Sequence, residues 1–249
     1  MKRLCFLGNS HVAAVRAALN DMRVEGGLAG VEVDVFGSQR NSLRTATVRN
    51  GVVGSSSAFV QKNFRWTSGG MSEVEIARYD EIIILAGISV FSSAHYQAGT
   101  DLPMISSGMA DAIITHHMEQ DWAIGLARLI AEVSGSVQVS FVGSPLISVD
   151  SPRAQKFLAQ YHDRDTGVGV RARNLRTMID RSVVARSAGN FRMKAPPADA
   201  LEDSGFFTRS AYCKGSMLFK PEVDAQHPGN DFVHMNAQYG RLLLQDALG

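Results

Sequence analysis

A serine hydroxyl, an imidazole and a carboxylate can together carry acyl transfer. The imidazole takes the serine proton, and the carboxylate holds the imidazole in the productive tautomer. The chain offers such a set in two short stretches. Ser10 stands in the turn GNSH (8–11), and Asp231 and His234 lie three residues apart in HPGNDFVH (227–234). The Asp-x-x-His spacing favours His234 as the base, although His227, four residues before Asp231, is an open alternative. Each group also has a purely structural reading. Ser10 is a natural helix N-cap, and Asp231 with His234 could be a cap region carrying an incidental histidine.

The elements around these residues favour chemistry at one edge of a sheet. Leu4-Cys5-Phe6-Leu7 is a short, continuously apolar run that suits a strand buried on both faces, and Val12, Val15, Leu19 and Met22 then recur at helical spacing. Ser10 is thereby placed where a strand ends and a helix begins, the corner at which open α/β sheets hold ligands. VEVDVFGS (31–38) alternates like a half-exposed strand near a sheet edge. TATVRNGVVGSS (45–56) carries Asn50-Gly51, a type I′ hairpin signal, between two β-prone runs. YDEIIILAG (79–87) reads as a central parallel strand and VQVSFVGSP (137–145) as the next, with helical patterns over 107–133 between them. Helical character resumes in PRAQKFLAQYHDR, in VRARNLRTMIDRSVVARS and in the final MNAQYGRLLLQDAL, whose Tyr239, Leu242, Leu243 and Leu244 can dock on the sheet. The expected fold is a doubly wound, flavodoxin-like three-layer α/β sandwich with four or five parallel strands. It spans residues 1–249 as one domain, with the 45–56 hairpin as an embellishment and 189–229 as an irregular insertion.

Ser10 in a Gly-x-Ser turn after the first strand, with Asp231-x-x-His234 just before the last helix, resembles the SGNH (GDSL-like) hydrolase superfamily. The chain order matches along nearly the whole length, although short blocks carry it. The resemblance implies Ser10 as nucleophile, His234 as general base and then acid, and Asp231 as the orienting carboxylate. It also implies an oxyanion hole, for which WTSGGMSE (66–73) offers Gly69 or Gly70. The family's third block, Gly-x-Asn, reads Gly87-Ile88-Ser89 here, so Ser89 stands where an asparagine donor is usual. Ser89, Asn9, Asn63 and His11 are the candidates to replace it. Asn9, His11 and His95 are the expected substrate-binding residues. GNSH is also similar to the Gly-Asn-Cys-Gln turn of a family of bacterial capsule-biosynthesis acetyltransferases, which keeps an O-acyltransferase in view beside an esterase or deacylase. A non-catalytic carbohydrate-binding protein is the third reading, suggested by the missing asparagine.

Composition narrows the partners. With 249 residues, 45% hydrophobic and 20% charged, the chain can bury a sizeable core. The basic pair Lys2-Arg3 precedes an apolar run too soon interrupted for a signal peptide, and no stretch has the length of a membrane span. Cys5 and Cys213 lack metal-ligand spacing and are expected as reduced thiols in a cytoplasmic protein. Net charge is +1, but 151–194 holds ten Lys/Arg against three Asp. That tract is either a solvated helix face or a surface for an anionic substrate such as a nucleotide sugar, coenzyme A or an acidic glycan. No nucleic-acid signature accompanies it. His116, His117, Glu119 and Asp121 suit a polar helix end better than a metal cluster, so no metal or other cofactor is expected. The expected substrate is a small-molecule or glycan acyl ester.

Overall fold

The computed structural model describes residues 1–87, 106–163, 165, 167–221 and 225–249. Its first unit is strand β1 (Lys2–Gly8), helix α1 (Val12–Val24) and strand β2 (Val31–Gly37). The hairpin strands β3 (Ala46–Arg49) and β4 (Val52–Ser55), helix α2 (Ala58–Ser68) and the two-residue strand β5 (Val74–Glu75) come next, ahead of β6 (Glu81–Leu85). Two helices, α3 (Ser107–Gln120) and α4 (Trp122–Ser134), lead to β7 (Gln138–Phe141). The chain ends with α5 (Pro152–His162), α6 (Val168–Ala185), β8 (Phe191–Met193) and α7 (Ala237–Leu248).

Five strands pair in parallel in the order β2-β1-β6-β7-β8. The order reverses direction between β1 and β6. That point is the topological switch of a doubly wound, flavodoxin-like sheet, where the carboxyl ends of the strands open a crevice. β6 is the central strand and β2 an edge, as their apolar and alternating patterns require. The fifth strand, β8, lies at the opposite edge within the stretch expected to be an irregular insertion, so 189–229 contributes to the sheet after all.

Sheet periodicity divides the core into two layers. Leu4 and Phe6 of β1 and Ile83 and Leu85 of β6 face α1 and α7, whereas Cys5, Leu7, Ile82 and Ile84 face the helices from α2 to α6. All eight are at most 2% exposed, and burying each of the larger ones stabilises the fold by roughly 1.5–3 kcal/mol. Gly240 sets the fit between α1 and α7. A Cβ at that position would lie 2.0 Å from the Ala14 carbonyl oxygen, so the helices touch backbone to backbone there.

The hairpin turns through Asn50 (φ 51°) and Gly51 (φ 75°), the two positive φ values that a type I′ turn needs. β5 adds a third strand to it in antiparallel pairing with β4, which the sequence pattern did not reveal. Both cysteines are buried and free. No helix among the described residues is long and apolar enough to cross a membrane.

Candidate functional site

Ser10 lies two residues past the buried end of β1. Gly8 there has no room for a side chain, because a Cβ would sit 2.2 Å from the Leu85 carbonyl oxygen. Residue 11, not residue 10, is the N-cap of α1, and its side chain makes no capping bond. The Ser10 hydroxyl is turned instead to His234, with Oγ 3.1 Å from Nε2. Among the described residues the Ser10 backbone N–H has no acceptor, and it lies at the start of a helix, where partial positive charge collects.

A rigid turn presents His234. Asp231 Oδ1 accepts the backbone N–H of Val233 and of His234, both at 2.9 Å, and Asp231 Oδ2 lies 2.9 Å from His234 Nδ1. Neither residue caps α7. Asn236 does so, accepting from the N–H of Gln238 and Tyr239, while its own amide donates to the carbonyls of Ala211 and Lys214. The segment is further tied down by the N–H of His227 donating to Ser216 O and that of Ser148 donating to Phe232 O. Burial opposes ionisation of Asp231, but the backbone donors of His234 and Val233 and the His234 ring outweigh it and hold the carboxyl down at about 2. An ionised carboxylate can only accept. Nδ1 of His234 therefore carries the proton, and Nε2 keeps its lone pair toward the serine.

A second imidazole meets the same oxygen. His227 Nδ1 lies 2.9 Å from Asp231 Oδ2, and its ring stacks on His234 with centroids 4.0 Å apart and planes within 8°. His227 is therefore a companion of His234 at the carboxylate, while Ser10 pairs with His234. The ligand-type atoms of His227, Asp231 and His234 lie within 4.8 Å of one another. His234 Nδ1 is hydrogen-bonded to the carboxylate oxygen, however, so a cation there would have to displace that N–H···O bond.

The other expected site residues divide. Asn9 is half-buried beside Ser10. Its Oδ1 accepts the His11 N–H at 3.1 Å, and its Nδ2 makes a long 3.4 Å contact with Ser144 Oγ, which itself donates to Gly87 O at 2.6 Å. Ser144, at the carboxyl end of β7, was not singled out by sequence. The signal available was a hydroxyl just after an apolar strand, on the reactive edge. His11 is 7% exposed, with its ring 5.3 Å from that of His234, so it forms a wall of the site more than a contact surface.

Gly69 and Gly70 are not oxyanion donors. Both use their N–H on the Arg65 carbonyl to end α2, and Gly69 borders a shallow cavity with Asp34 and Asn20, away from the carboxyl end of β2. Asn63 is buried, with its amide donating to Ser38 Oγ. Ser89 and His95 lie outside the described residues. Asp121 caps α4, its Oδ1 accepting the N–H of Ala123 and Ile124. Of the basic tract, Arg186 binds Thr115 and the Ser182 carbonyl, and Lys194 meets Asp246 and Glu81, so these charges serve the fold. Comparison with protein-family models and with curated proteins gives no match.

Proposed function

We propose that the chain is a serine-dependent acyl-ester hydrolase, a divergent member of the SGNH superfamily. It would remove a short acyl group, acetyl foremost, from a carbohydrate or another small hydroxylated compound. The observation that carries this reading is the continuous relay Ser10 Oγ–His234 Nε2–Nδ1–Asp231 Oδ2, with steps of 3.1 and 2.9 Å, at the topological switch of the sheet.

In this mechanism Ser10 Oγ attacks the ester carbonyl carbon while its proton passes to His234 Nε2. The imidazolium that forms is held by the ionised Asp231. Negative charge on the tetrahedral oxygen meets the Ser10 N–H at the start of α1, and removing one such donor typically costs roughly 10²–10³ in rate. As the C–O bond breaks, His234 returns the proton to the leaving alkoxide. A water molecule, deprotonated by the same imidazole, then releases the acid and regenerates Ser10. Asn9, with one amide proton on the long contact to Ser144, would assist the oxyanion in place of the asparagine that position 89 lacks. Free thiols at Cys5 and Cys213 suit a reducing compartment, and the cytoplasm is the proposed location.

The test is hydrolysis of short-chain aryl esters and O-acetylated sugars by the wild type, Ser10→Ala and Asp231→Asn, with fluorophosphonate labelling read by peptide mapping. Ser10→Ala should fall to background and Asp231→Asn by about 10³–10⁴-fold, the scale seen when a triad carboxylate is neutralised. An unlabelled Ser10, together with equal turnover by wild type and Ser10→Ala, would defeat the proposal. Adding a sugar acceptor separates hydrolysis from transfer, since acylation faster than hydrolysis would assign the same serine to an O-acyltransferase.

A further inference from the structure

Three neighbouring strands, β1, β6 and β7, end side by side, and hydrogen bonds tie their ends together next to Ser10. The Asn9 backbone N–H donates to the Leu85 carbonyl at 3.3 Å, which joins the end of β1 to that of β6. Ser144, just past β7, donates its hydroxyl proton to the Gly87 carbonyl at 2.6 Å. Gly87 has φ 83°, and a Cβ there would lie 2.5 Å from Asp121 Oδ1, so this acceptor is packed against the carboxylate that caps α4. A hydroxyl has only one proton to give. With that proton on the Gly87 carbonyl, Ser144 Oγ can offer Asn9 only a lone pair.

We propose that Ser144 is a positioning residue of the Ser10 site: it holds the Asn9 carboxamide in the one orientation that leaves an N–H free for the oxyanion. The inference rests on the acyl-transfer reading above.

Two contacts select that orientation. Asn9 Oδ1 accepts the His11 N–H at 3.1 Å, and Nδ2 faces Ser144 Oγ at 3.4 Å. Turned over, the amide would set Nδ2 against the His11 N–H and Oδ1 against the Ser144 lone pair, donor on donor and acceptor on acceptor. In the orientation observed, one Nδ2 proton goes to Ser144 and the other has no acceptor among the described residues. The contact to Ser144 is long, so it aligns the amide more than it binds it. An aligned donor that is still unspent contributes most when charge develops on the tetrahedral oxygen, and that raises kcat more than substrate affinity. Ser144 hydrogen-bonds neither Ser10 nor His234 among the described residues, so its influence passes through Asn9.

The test compares Ser144→Ala, Ser144→Thr, Asn9→Ala and the double variant Ser144→Ala/Asn9→Ala with the wild type on the same aryl esters. Asn9→Ala should lower kcat by roughly 10²–10³, as loss of an oxyanion donor does. Ser144→Ala should lower kcat about tenfold, the scale of one neutral hydrogen bond felt in the transition state, and change KM by less than about twofold. Ser144→Thr keeps the hydroxyl and should stay within about threefold of the wild type. In the double variant the loss of Ser144 should cost less than about twofold beyond Asn9→Ala, because the group it holds is gone. Nitrogen-15 relaxation of the Asn9 side-chain amide makes the comparison without turnover. Its order parameter should be about 0.8 in the wild type and Ser144→Thr, and fall below about 0.6 in Ser144→Ala. That loss of order in a protein that hydrolyses no ester would remove the acyl-transfer reading and leave the hold of Ser144 on Asn9 standing. A Ser144→Ala kcat within about twofold of the wild type, full additivity in the double variant, or an Asn9 amide equally ordered with and without the hydroxyl would overturn the proposal.

Discussion

Acid should loosen this site through His11 before it touches the Asp231 carboxylate. The ring is 7% exposed, and its Nδ1 is buried without a hydrogen-bond partner among the described residues. Burial is the largest influence on it. His234 and then His227 act in the same direction, Asp231 opposes them, and the pKa is driven from an ordinary 6.5 down to about 3. Between those two values the unfolded chain binds a proton that the folded chain refuses. Stability is thus fully present above pH 6.5 and declines as pH falls toward 3, with a slope of about 1.4 kcal/mol per pH unit and a total of about 5 kcal/mol. By pH 4.5 the loss is about 2.7 kcal/mol, a large part of the roughly 5–15 kcal/mol by which domains are usually stable. Urea unfolding of the wild type and His11→Gln at half-unit steps from pH 7.5 to 4.5 measures this directly. The contributions of the other histidines cancel in the difference, which should close at about 1.4 kcal/mol per unit below pH 6. Two curves that stay parallel over that range would refute the reasoning.

Neighbouring positions on α7 should respond in opposite directions. Tyr239 is 1% exposed and its hydroxyl has no hydrogen-bond partner among the described residues, so Tyr239→Phe removes an unsatisfied polar group. It should raise stability by about 1 kcal/mol, read as a higher midpoint in urea. Gly240→Ala puts a methyl group 2.0 Å from the Ala14 carbonyl oxygen and 2.7 Å from the Val15 nitrogen, and backbone cannot step aside as a side chain can. The α1–α7 contact must open, at a cost of about 3 kcal/mol, and thermal unfolding should show it without any change in the residues that contact Ser10.

Sequence legibility followed element length and the strength of the local signal. β1 and β6 could be read because an apolar run buried on both faces has few alternatives, and the hairpin because Asn50-Gly51 fits almost one turn type. β8 has three residues, Phe191–Met193, between Gly189 and Pro196, too few for any period to register. It becomes a strand only because β7 offers it an edge. The two residues of β5 are held in the same way by β4. A tertiary partner, not propensity, decides such short pieces.

At the site, the readable residues were those whose roles need a fixed place in chain order. A serine after the first strand and an Asp-x-x-His before the last helix are each ordinary, and only the fold's two ends meeting at one edge joins them. Donors were harder to find, because a backbone N–H carries no side-chain signature. SGG (68–70) reads as well for a helix end as for an anion-binding loop, and the Arg65 carbonyl takes both glycine amides. Among the described residues, the amide left free at this corner is that of Ser10 itself. His227 shows the converse difficulty. Its spacing from Asp231 allowed it to be the base, and spacing could not reveal that its ring stacks on His234 while His234 alone meets Ser10. Only the stacked geometry, with one Nε2 on the serine and the other enclosed, distinguishes the imidazole that meets Ser10 from the one that lies behind it.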